Sequence, residues 1–339
     1  MKVLVTGATG FIGWHAAVCL GAHGHRVRAL VRDREKALKL LCPRGVADDD
    51  LVVGDMGDAA AVARALDGCD AVVHAAAAVS VTEPGLSERA FDANLRGTQL
   101  VIGGACERGM GRVVYVSSLM AIFDPRRETR SDSPVAAGRT RYGRSKAACE
   151  HFVRGLQDRG APVAILYPSG VVGPDDPGLS ESVKAFRGFL RTTLASSGGC
   201  FFVDVRDLAA LIAAMLGAPT HGRIVAGGHF FTWDALTALF EEISGARISR
   251  LRAPGWLMRG AGHLFDAISR ATGRTFPISF EAMEIATRTR RVADSPEVAA
   301  LGIRWRDPRE TLEDMFRWYL ASGRIPPRAV PRLAPSAAG

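Results

Sequence analysis

The chain has 339 residues, of which 47% are hydrophobic and 23% charged, and its 43 lysines and arginines against 35 acidic residues leave a net charge of +8. This length suffices for one large domain or two moderate ones, and the composition is that of a globular protein. The positive charge is spread over many arginines and no basic segment is interleaved with aromatic residues, so we expect no nucleic-acid partner.

The six cysteines are widely spaced, with no CxxC pair and no neighbouring histidine ligand pattern. This spacing argues against a disulfide framework or a zinc site, and we expect no bound metal. The stretch MKVLVTGATG begins directly with a strand and lacks the apolar core of a signal peptide, and no apolar run is long enough to span a bilayer. We therefore expect reduced thiols and a cytoplasmic protein without an integral membrane segment.

Short apolar runs alternate with helical patterns through the first half of the chain. Strands are expected at 2–6, 25–33, 50–55, 70–77, 111–118 and 162–170. Helices are expected at 11–24 and 33–41, then, after a strand end, within 203–217, and at 233–244, 255–271 and 308–321. Strands that are apolar along their length are buried on both faces, so this alternation predicts an α/β fold with a doubly wound parallel sheet of the Rossmann type.

The regular alternation breaks after Pro168, where the chain becomes loop-rich up to Cys200. We expect a smaller, mostly helical C-terminal substrate domain beyond this point. The expected domains are a Rossmann domain of residues 1–168 plus 203–226, a substrate domain of residues 169–202 plus 227–325, and a disordered tail at 326–339.

A glycine loop, TGATGFIG, lies between the first strand and the first helix, with Gly7, Gly10 and Gly13 spaced as GxxGxxG. Glycines suit this place because the backbone turns tightly and must approach a pyrophosphate at the helix N-terminus. Simple turn glycines are the alternative, although the position at the first strand–helix junction weakens it. The dinucleotide is expected to contact Gly7, Thr9, Gly10, Phe11 and Ile12.

The residues at the end of the second strand, in ALVRDRE, indicate whether the protein binds NAD or NADP. Arg32 is the first residue beyond the strand, and its guanidinium would suit the 2′-phosphate of NADP. Asp33 could instead hold the ribose of NAD, with Arg32 an ordinary surface residue. We expect NADP, with NAD possible as the alternative, and Asp55 is expected beside the adenine.

The stretch RYGRSK carries one of only five lysines in a chain with 38 arginines. Tyr142 and Lys146 are four residues apart, so in a helix they lie on the same face. An ammonium near a phenol favours the phenolate and brings its pKa closer to neutrality, which suits proton transfer. A surface tyrosine and a surface lysine on an amphipathic helix are the alternative.

The chain resembles the extended short-chain dehydrogenase/reductases, also called the NAD-dependent epimerase/dehydratase family. The motifs TGATGFIG, GD at 54–55, HAAA at 74–77, NLRGT at 94–98, VVYVSS, YGRSK and YPSGVVGP stand in that family's order. The later stretches VDVRDLA and AGGHFFTWDAL are similar to the dihydroflavonol reductase-like branch. The resemblance implies a Rossmann domain, a C-terminal substrate domain and often a homodimer formed through paired helices.

The resemblance also implies roles for individual residues. It assigns Tyr142 as the acid/base, Lys146 as its activator and ribose anchor, and Ser118 as the donor that holds the reacting oxygen, with Ser117 the weaker choice. His74 is expected to be a packed histidine rather than a base. Further cofactor contacts are implied for Asp55, Met56, Ala75, Ala76, Ala77, Lys146 and Pro168.

The chain departs from the nucleotide-sugar dehydratases of this family after the catalytic serine. Leu119 and Met120 replace their Asp-Glu pair, which disfavours a dehydratase. Gly170 replaces the asparagine of the sugar-nucleotide enzymes, and Val171 follows it. These four residues are expected to bind the substrate through an apolar wall, which favours a hydrophobic ketone or aldehyde; alternatively they are core, and arginines of the second domain contact the substrate.

We therefore expect an NADP(H)-dependent oxidoreductase that acts on a small molecule, a hydrophobic ketone, aldehyde or secondary alcohol. A nucleotide-sugar epimerase is the first alternative. A non-catalytic dinucleotide sensor is the second, although sensors of this fold typically lose the Tyr-Lys pair. The helix at 255–271 is apolar on one face, which indicates packing or a lid over the substrate, or alternatively a contact with a membrane surface.

Overall fold

The computed structural model describes residues 1–77, 86–125, 127–138, 141–218, 222–272, 279–289 and 292–334. The strands are β1 Lys2–Thr6, β2 Arg26–Val31, β3 Leu51–Val53, β4 Ala71–His74, β5 Val113–Val116, β6 Val163–Pro168, β7 Gly170–Val172, β8 Thr192–Ala195, β9 Gly199–Asp204, β10 Gly222–Ala226, β11 His229–Thr232 and β12 Ser249–Arg252.

The helices follow the strands in the order that the alternation predicts. They are α1 Phe11–Ala22, α2 Arg34–Leu41, α3 Ala59–Leu66, α4 Leu86–Thr98, α5 Gly104–Glu107, α6 Arg141–Asp158, α7 Glu181–Phe189, α8 Val205–Gly217, α9 Trp233–Ser244, α10 Gly255–Thr272, α11 Phe280–Arg288, α12 Pro296–Ala300 and α13 Pro308–Ala321. A π turn at Gln99–Gly103 joins α4 to α5.

Seven strands form one parallel sheet in the order β10-β6-β5-β4-β1-β2-β3. Alternate residues of each strand feed two separate cores, because successive side chains point to opposite faces. In β1, for example, Val3 and Val5 belong to one core and Leu4 to the other. The predicted doubly wound, Rossmann-type sheet is confirmed.

The strand order reverses direction at β1. The chain runs outward from β1 to β2 and β3 on one side, then returns to β4 and continues outward through β5 and β6. In sheets of this kind, ligands bind outside the carboxyl ends of the strands at such a switch point. A dinucleotide site is therefore expected beside the segments that follow β1 and β4.

The C-terminal part adds two small sheets and most of the later helices. One sheet has the order β11-β9-β7, and the other pairs β12 with β8. The expectation of loops between Pro168 and Cys200 is wrong, because this segment contains β7, α7, β8 and the start of β9. Strands of three or four residues are too short to show a period, and they form here through pairing with distant segments.

The expected disorder of the tail is wrong for residues 326–334. The Val330 side chain is fully buried, and the Arg332 backbone donates a hydrogen bond of 3.0 Å to the Ser244 carbonyl. This segment has few apolar residues among its prolines and arginines, and such a composition is typical of disordered segments. Residues 335–339 lie outside the described part of the chain.

Within those described ranges, no helix combines the length and the apolar character that crossing a bilayer requires. The six cysteines all lie in described segments, and each is a free thiol.

Candidate active site

The glycine loop after β1 approaches the segment after β4 very closely. Gly7 has a φ of +73°, and a Cβ built there would lie 2.8 Å from backbone atoms of Ala76. A Cβ at Gly13 would overlap the Gly7 carbonyl oxygen. Both contacts exclude any larger residue, so these glycines serve close backbone approach as well as the turn.

The N-terminus of α1 opens at this loop without a side chain to cap it. Gly10 is the N-cap residue and makes no side-chain cap, and the first turn carries no acidic residue. The first backbone N–H groups of a helix lack intrahelical partners and form an anion site together with the helix dipole. This loop fits the pyrophosphate of a dinucleotide, and of its predicted contacts Thr9 and Ile12 are half-buried and Phe11 is buried.

Two candidate cofactor contacts follow β2, Arg32 for the 2′-phosphate of NADP and Asp33 for the ribose of NAD, and their side chains have different environments. Asp33 is the N-cap of α2, where its carboxylate accepts a hydrogen bond of 2.9 Å from the Lys36 backbone. Arg32 is exposed, and among the described residues it makes no hydrogen bond or ion pair. Asp33 therefore has a structural role, whereas the Arg32 guanidinium remains available to a ligand.

Asp55 lies beyond the end of β3. Its side chain is exposed and accepts a hydrogen bond of 2.8 Å from the Gly57 backbone. Met56 is half-buried and packs on Gly97, where a Cβ would meet its side chain at 2.6 Å. The Asp55 carboxylate thus caps the turn that follows β3, and it is exposed to solvent.

A buried hydrogen-bond chain fixes the segment after β4. The Ala76 backbone donates to the Thr6 hydroxyl at 3.3 Å, Thr6 contacts His74 Nδ1 at 2.7 Å, and His74 Nε2 contacts the Thr98 hydroxyl at 3.2 Å. Burial, with the Lys146 charge nearby, lowers the pKa of His74 to about 3. His74 is therefore a neutral, packed histidine, as predicted, and it holds the residues 75–77 against the glycine loop.

Helix α6 contains both members of the predicted Tyr-Lys pair, one turn apart. The Lys146 side chain is 5% exposed, and its ammonium lies 6.0 Å from the centre of the Tyr115 ring. The surface lysine that was the alternative is thus excluded. The Tyr142 side chain lies outside the described residues, so its role remains a prediction.

The serine pair after β5 divides into two different environments. The Ser117 hydroxyl is buried and donates a hydrogen bond of 2.8 Å to the Glu150 carboxylate. Ser118 is half-buried, and its hydroxyl oxygen accepts only a long contact of 3.2 Å from the Met120 backbone. Of the two, Ser118 is the one whose hydroxyl proton is not used within the described structure.

Glu150 is a residue that the sequence analysis missed. Its carboxylate is fully buried on α6, accepts from the Tyr167 hydroxyl, and pairs with Arg154 at 2.8 Å. Burial and the Glu150 charge raise the pKa of Tyr167, which stays protonated and donates. The cluster ties α6 to the ends of β5 and β6. The available signal was the spacing of Glu150, four residues after Lys146 on the same helix face.

Of the four residues expected to form an apolar substrate-binding surface, two are buried and two are half-buried. Leu119 is 1% exposed and belongs to a core cluster, and Val171 is 7% exposed. Met120 and Gly170 are half-buried. The Ser169 hydroxyl, directly after β6, is buried and has no hydrogen-bond partner among the described residues. An unpaired buried hydroxyl calls for an explanation, and a bound ligand would supply one.

Pro168 closes β6 as a buried residue beside these positions. Farther along the chain, Arg306 donates to Asp207 at 2.8 Å, which joins α8 to the segment before α13. No group of three His, Cys, Asp or Glu side chains within the described ranges is arranged to hold a metal ion.

Comparison with known proteins agrees with this arrangement. A family model described as the NAD dependent epimerase/dehydratase family matches residues 3–227. Sterol demethylase protein B of Methylococcus capsulatus is 31% identical over 96% of this chain and 100% of its own length. A Synechocystis protein provisionally named dihydroflavonol 4-reductase is 28% identical over 95% of both chains.

Among solved structures, UDP-glucose-4-epimerase from Stenotrophomonas maltophila, with bound NAD, superposes with a TM-score of 0.75 over 96% of this chain and 99% of its own. At 21% identity this likeness shows the fold alone. The family model, which matches about two thirds of the chain, and the relatives matched over nearly their full length show the family to which the chain belongs. The chain belongs to the NAD-dependent epimerase/dehydratase family and is an NAD(P)-dependent enzyme of the extended short-chain dehydrogenase/reductase type.

Proposed function

We propose that this enzyme is an NADP(H)-dependent oxidoreductase that interconverts a hydrophobic ketone or aldehyde and the corresponding alcohol. The observation that carries the proposal is the environment of Ser118. Its half-buried hydroxyl lies two residues before the apolar, half-buried Met120, and the neighbouring strand β6 ends in Pro168 and leads to Gly170. A carbonyl oxygen can accept from this hydroxyl, while the side chains around it offer an apolar substrate surface to pack on.

The chain's own residues handle the proton and the orientation of the carbonyl. Ser118 donates a hydrogen bond to the carbonyl oxygen, and Tyr142 gives that oxygen a proton as it becomes an alcohol. The buried Lys146 ammonium stabilises the phenolate that Tyr142 leaves, because an opposite charge nearby favours the ionised form. When bound, the nicotinamide supplies the hydride that joins the carbonyl carbon, and in the reverse direction it accepts it.

The preference for NADP rests on the end of β2. Arg32 is exposed and has no partner among the described residues, whereas Asp33 caps α2. A guanidinium binds a phosphate through two parallel charge-assisted hydrogen bonds. The glycine loop and the residues 75–77 would hold the rest of the dinucleotide, with Asp55 and Met56 beside the adenine and Pro168 beside the nicotinamide.

The full-length relatives support a hydrophobic substrate, since one carries a sterol and the other a dihydroflavonol in its name. Leu119 does not contribute to the substrate surface in this proposal, because its side chain is in the core. Met120 and Gly170 remain the proposed contacts. A sugar ring in the same place would leave buried hydroxyls unpaired, at a cost of about 1–3 kcal/mol each.

A nucleotide-sugar epimerase is the second candidate. The fold superposes on a UDP-glucose-4-epimerase, and the unpaired Ser169 hydroxyl is a polar group that a sugar could use. The sensor alternative is not retained, because the buried Lys146 and the accessible Ser118 are both present in a chain of an enzyme family.

Isothermal titration of the NADPH-loaded enzyme would separate the two candidates. One series would use hydrophobic ketones, including a dihydroflavonol and 3-ketosteroids, and the other UDP-hexoses. Nicotinamide absorbance would report turnover of each compound that binds. Binding and oxidation of NADPH by a ketone supports the proposal. Micromolar binding of a UDP-hexose with its epimerisation, and no response to ketones, would replace the proposal by the epimerase.

We also propose a cytoplasmic homodimer, since the cysteines are free thiols and the family often pairs helices between subunits. Light scattering coupled to size-exclusion chromatography measures the assembly directly. A mass near 36.1 kDa at all concentrations would contradict a dimer.

A further inference from the structure

Large apolar side chains are exposed together on α10 and on the strand before it. Trp256 is 70% exposed, Leu264 is 61%, Leu257 is 49%, and Leu251 on β12 is 56%. Only two other large hydrophobic side chains in the described chain are comparably exposed, and both lie elsewhere, at Met1 and Val53. This concentration marks an interaction surface, because single exposed apolar residues are usually scattered.

The exposed residues of α10 form one continuous face. Apart from the last residue, Thr272, they occupy positions 256, 257, 260, 263, 264, 267 and 271, a helical spacing. None of them is acidic or basic apart from His263, at the edge of the face, whose ring stacks on Phe280 of α11. The opposite side of α10 is in contact with α11, where a Cβ at Gly262 would lie 2.7 Å from Phe280. We call the exposed face, together with Leu251, the α10 surface.

Arginines are the more numerous charges next to the α10 surface, and the acidic residues nearby are engaged: Asp266 of α10 accepts a hydrogen bond of 3.0 Å from the Phe280 backbone, and Asp234 lies 4.0 Å from Arg250. Between residues 243 and 265 the chain carries four arginines, at 247, 250, 252 and 259, and no aspartate or glutamate. Arg250 is partly neutralised by Glu241 at 2.8 Å, whereas Arg252 is exposed beside Leu251. A second copy of this chain would bring like charges together, whereas an anionic surface would be attracted.

We propose that the α10 surface attaches the enzyme to the face of an anionic phospholipid bilayer. An interfacial helix lies in the plane of the membrane with tryptophan and leucine inserted among the headgroups and arginine at the polar border. The 18 residues of α10 extend about 27 Å along its axis, enough for three exposed large side chains to insert at once. This attachment goes beyond the proposed reaction, and it requires neither cofactor nor substrate.

Tryptophan fluorescence of the full-length protein offers a direct test. All five tryptophans lie in described segments; Trp14 and Trp233 are buried, Trp305 and Trp318 are half-buried, and Trp256 is the exposed one. Vesicles of phosphatidylcholine mixed with phosphatidylglycerol should shift the emission to shorter wavelength, and brominated acyl chains should quench it. High salt should weaken the binding, because it screens the arginines.

Vesicle sedimentation of variants supplies the control. Trp256→Ser and Leu264→Ser should each lower the partition coefficient about tenfold or more, whereas Val53→Ser, at an exposed apolar position away from α10, should leave it unchanged. Arg252→Glu should weaken binding to the mixed vesicles. Equal sedimentation of Leu264→Ser and the wild type would overturn the proposal. The proposal would also be overturned if the wild type did not bind vesicles and if analytical ultracentrifugation showed a dimer that the Leu264→Ser substitution dissociates. Either result leaves the test of ketone reduction unaffected.

Discussion

The Ser117 hydroxyl donates a 2.8 Å hydrogen bond to the buried carboxylate of Glu150. This contact joins the end of β5 to α6, the helix that carries Tyr142 and Lys146. Ser118, the next residue, points its hydroxyl toward no other side chain in the described structure and remains half-buried. Two adjacent serines therefore lie in different environments: Ser117 joins β5 to α6, and Ser118 is the one proposed to contact the reacting oxygen.

Replacing each serine by alanine should separate these roles. Ser117→Ala leaves the buried Glu150 with one donor fewer and should lower the free energy of unfolding by about 1–3 kcal/mol. Ser118→Ala removes a donor to the developing oxyanion and should lower kcat by roughly 100-fold or more, with little effect on stability. Urea unfolding and steady-state kinetics measure the two effects. A Ser118→Ala enzyme with normal kcat would contradict the assignment.

The Tyr-Lys pair should also be separable by substitution. Tyr142→Phe removes the proton donor and keeps the ring, so kcat should fall by roughly 100- to 10,000-fold while the dissociation constant of NADPH stays the same. Lys146→Met should lower kcat and also weaken NADPH, because this side chain is proposed to contact the ribose as well. Stopped-flow kinetics and fluorescence titration of NADPH provide the two readouts. Near-normal turnover by Tyr142→Phe would show that another group is the acid.

The sheet could be predicted from the sequence because its strands are nearly continuous apolar runs. KVLVT, for example, coincides with β1 at Lys2–Thr6, and the helices predicted at 233–244 and 308–321 coincide with α9 and α13. The segment 169–202 could not be predicted in the same way. Its strands are three to six residues long and depend on partners far along the chain, so local pattern carries little information about them.

The positions of the candidate site residues in the fold were predictable where a sequence motif sets them, and less so where side-chain packing determines the direction of a side chain. Gly7, Ser118 and Lys146 lie at the positions that the motifs indicate, on β1–α1, after β5 and on α6. Leu119 was expected at the substrate, yet it points into the core, because a turn of 3₁₀ helix after Ser118 determines the side-chain direction. Glu150 was overlooked, since a carboxylate on an amphipathic helix usually faces water.

Arg32→Ala tests the preference for NADPH. If the guanidinium binds the 2′-phosphate, the variant should bind NADPH about 10- to 100-fold more weakly and NADH about as well as the wild type. Arg34→Ala is the matched control, because Arg34 lies two residues away and pairs with Asp48. Fluorescence titration with both nucleotides gives the dissociation constants. Equal losses for NADPH and NADH, or a wild type that prefers NAD, would refute the proposed role of Arg32.

Ser169→Ala tests whether the unpaired hydroxyl after β6 meets a ligand. Removing a buried hydroxyl without a partner should leave the free energy of unfolding unchanged or slightly raised. Binding of the cofactor or the substrate should nevertheless weaken about three- to tenfold, since the ligand group that bonds this hydroxyl in the complex would then lack a partner. Ser180→Ala is the control, because the Ser180 hydroxyl is also buried and unpaired among the described residues but lies at the start of α7. A loss of stability without a change in binding would point to a structural water instead.

His74 should make the stability of the enzyme depend on pH. Its pKa is about 3 in the folded protein, against about 6.5 in the unfolded chain, because burial disfavours the imidazolium. Between these two values the unfolded chain binds the extra proton, so the free energy of unfolding falls as the pH falls below about 6.5. From pH 7 to pH 5 this histidine should account for a loss of about 2 kcal/mol.

His74→Gln isolates this contribution, because a neutral amide can still bond to Thr6 or Thr98 and does not titrate. The variant is expected to be less stable than the wild type at pH 7, because the amide fills the site of the neutral imidazole less well. It is expected to lose less stability on acidification. His15 remains in both proteins, and burial lowers its pKa too, so some pH dependence should persist in the variant. Urea unfolding of both proteins between pH 5 and pH 7 measures the two slopes. If the free energy of unfolding of both proteins depended on pH to the same extent, the pKa of His74 would not be lowered. The hydrogen-bond chain from Ala76 through Thr6 to Thr98 would then contain a charged imidazolium.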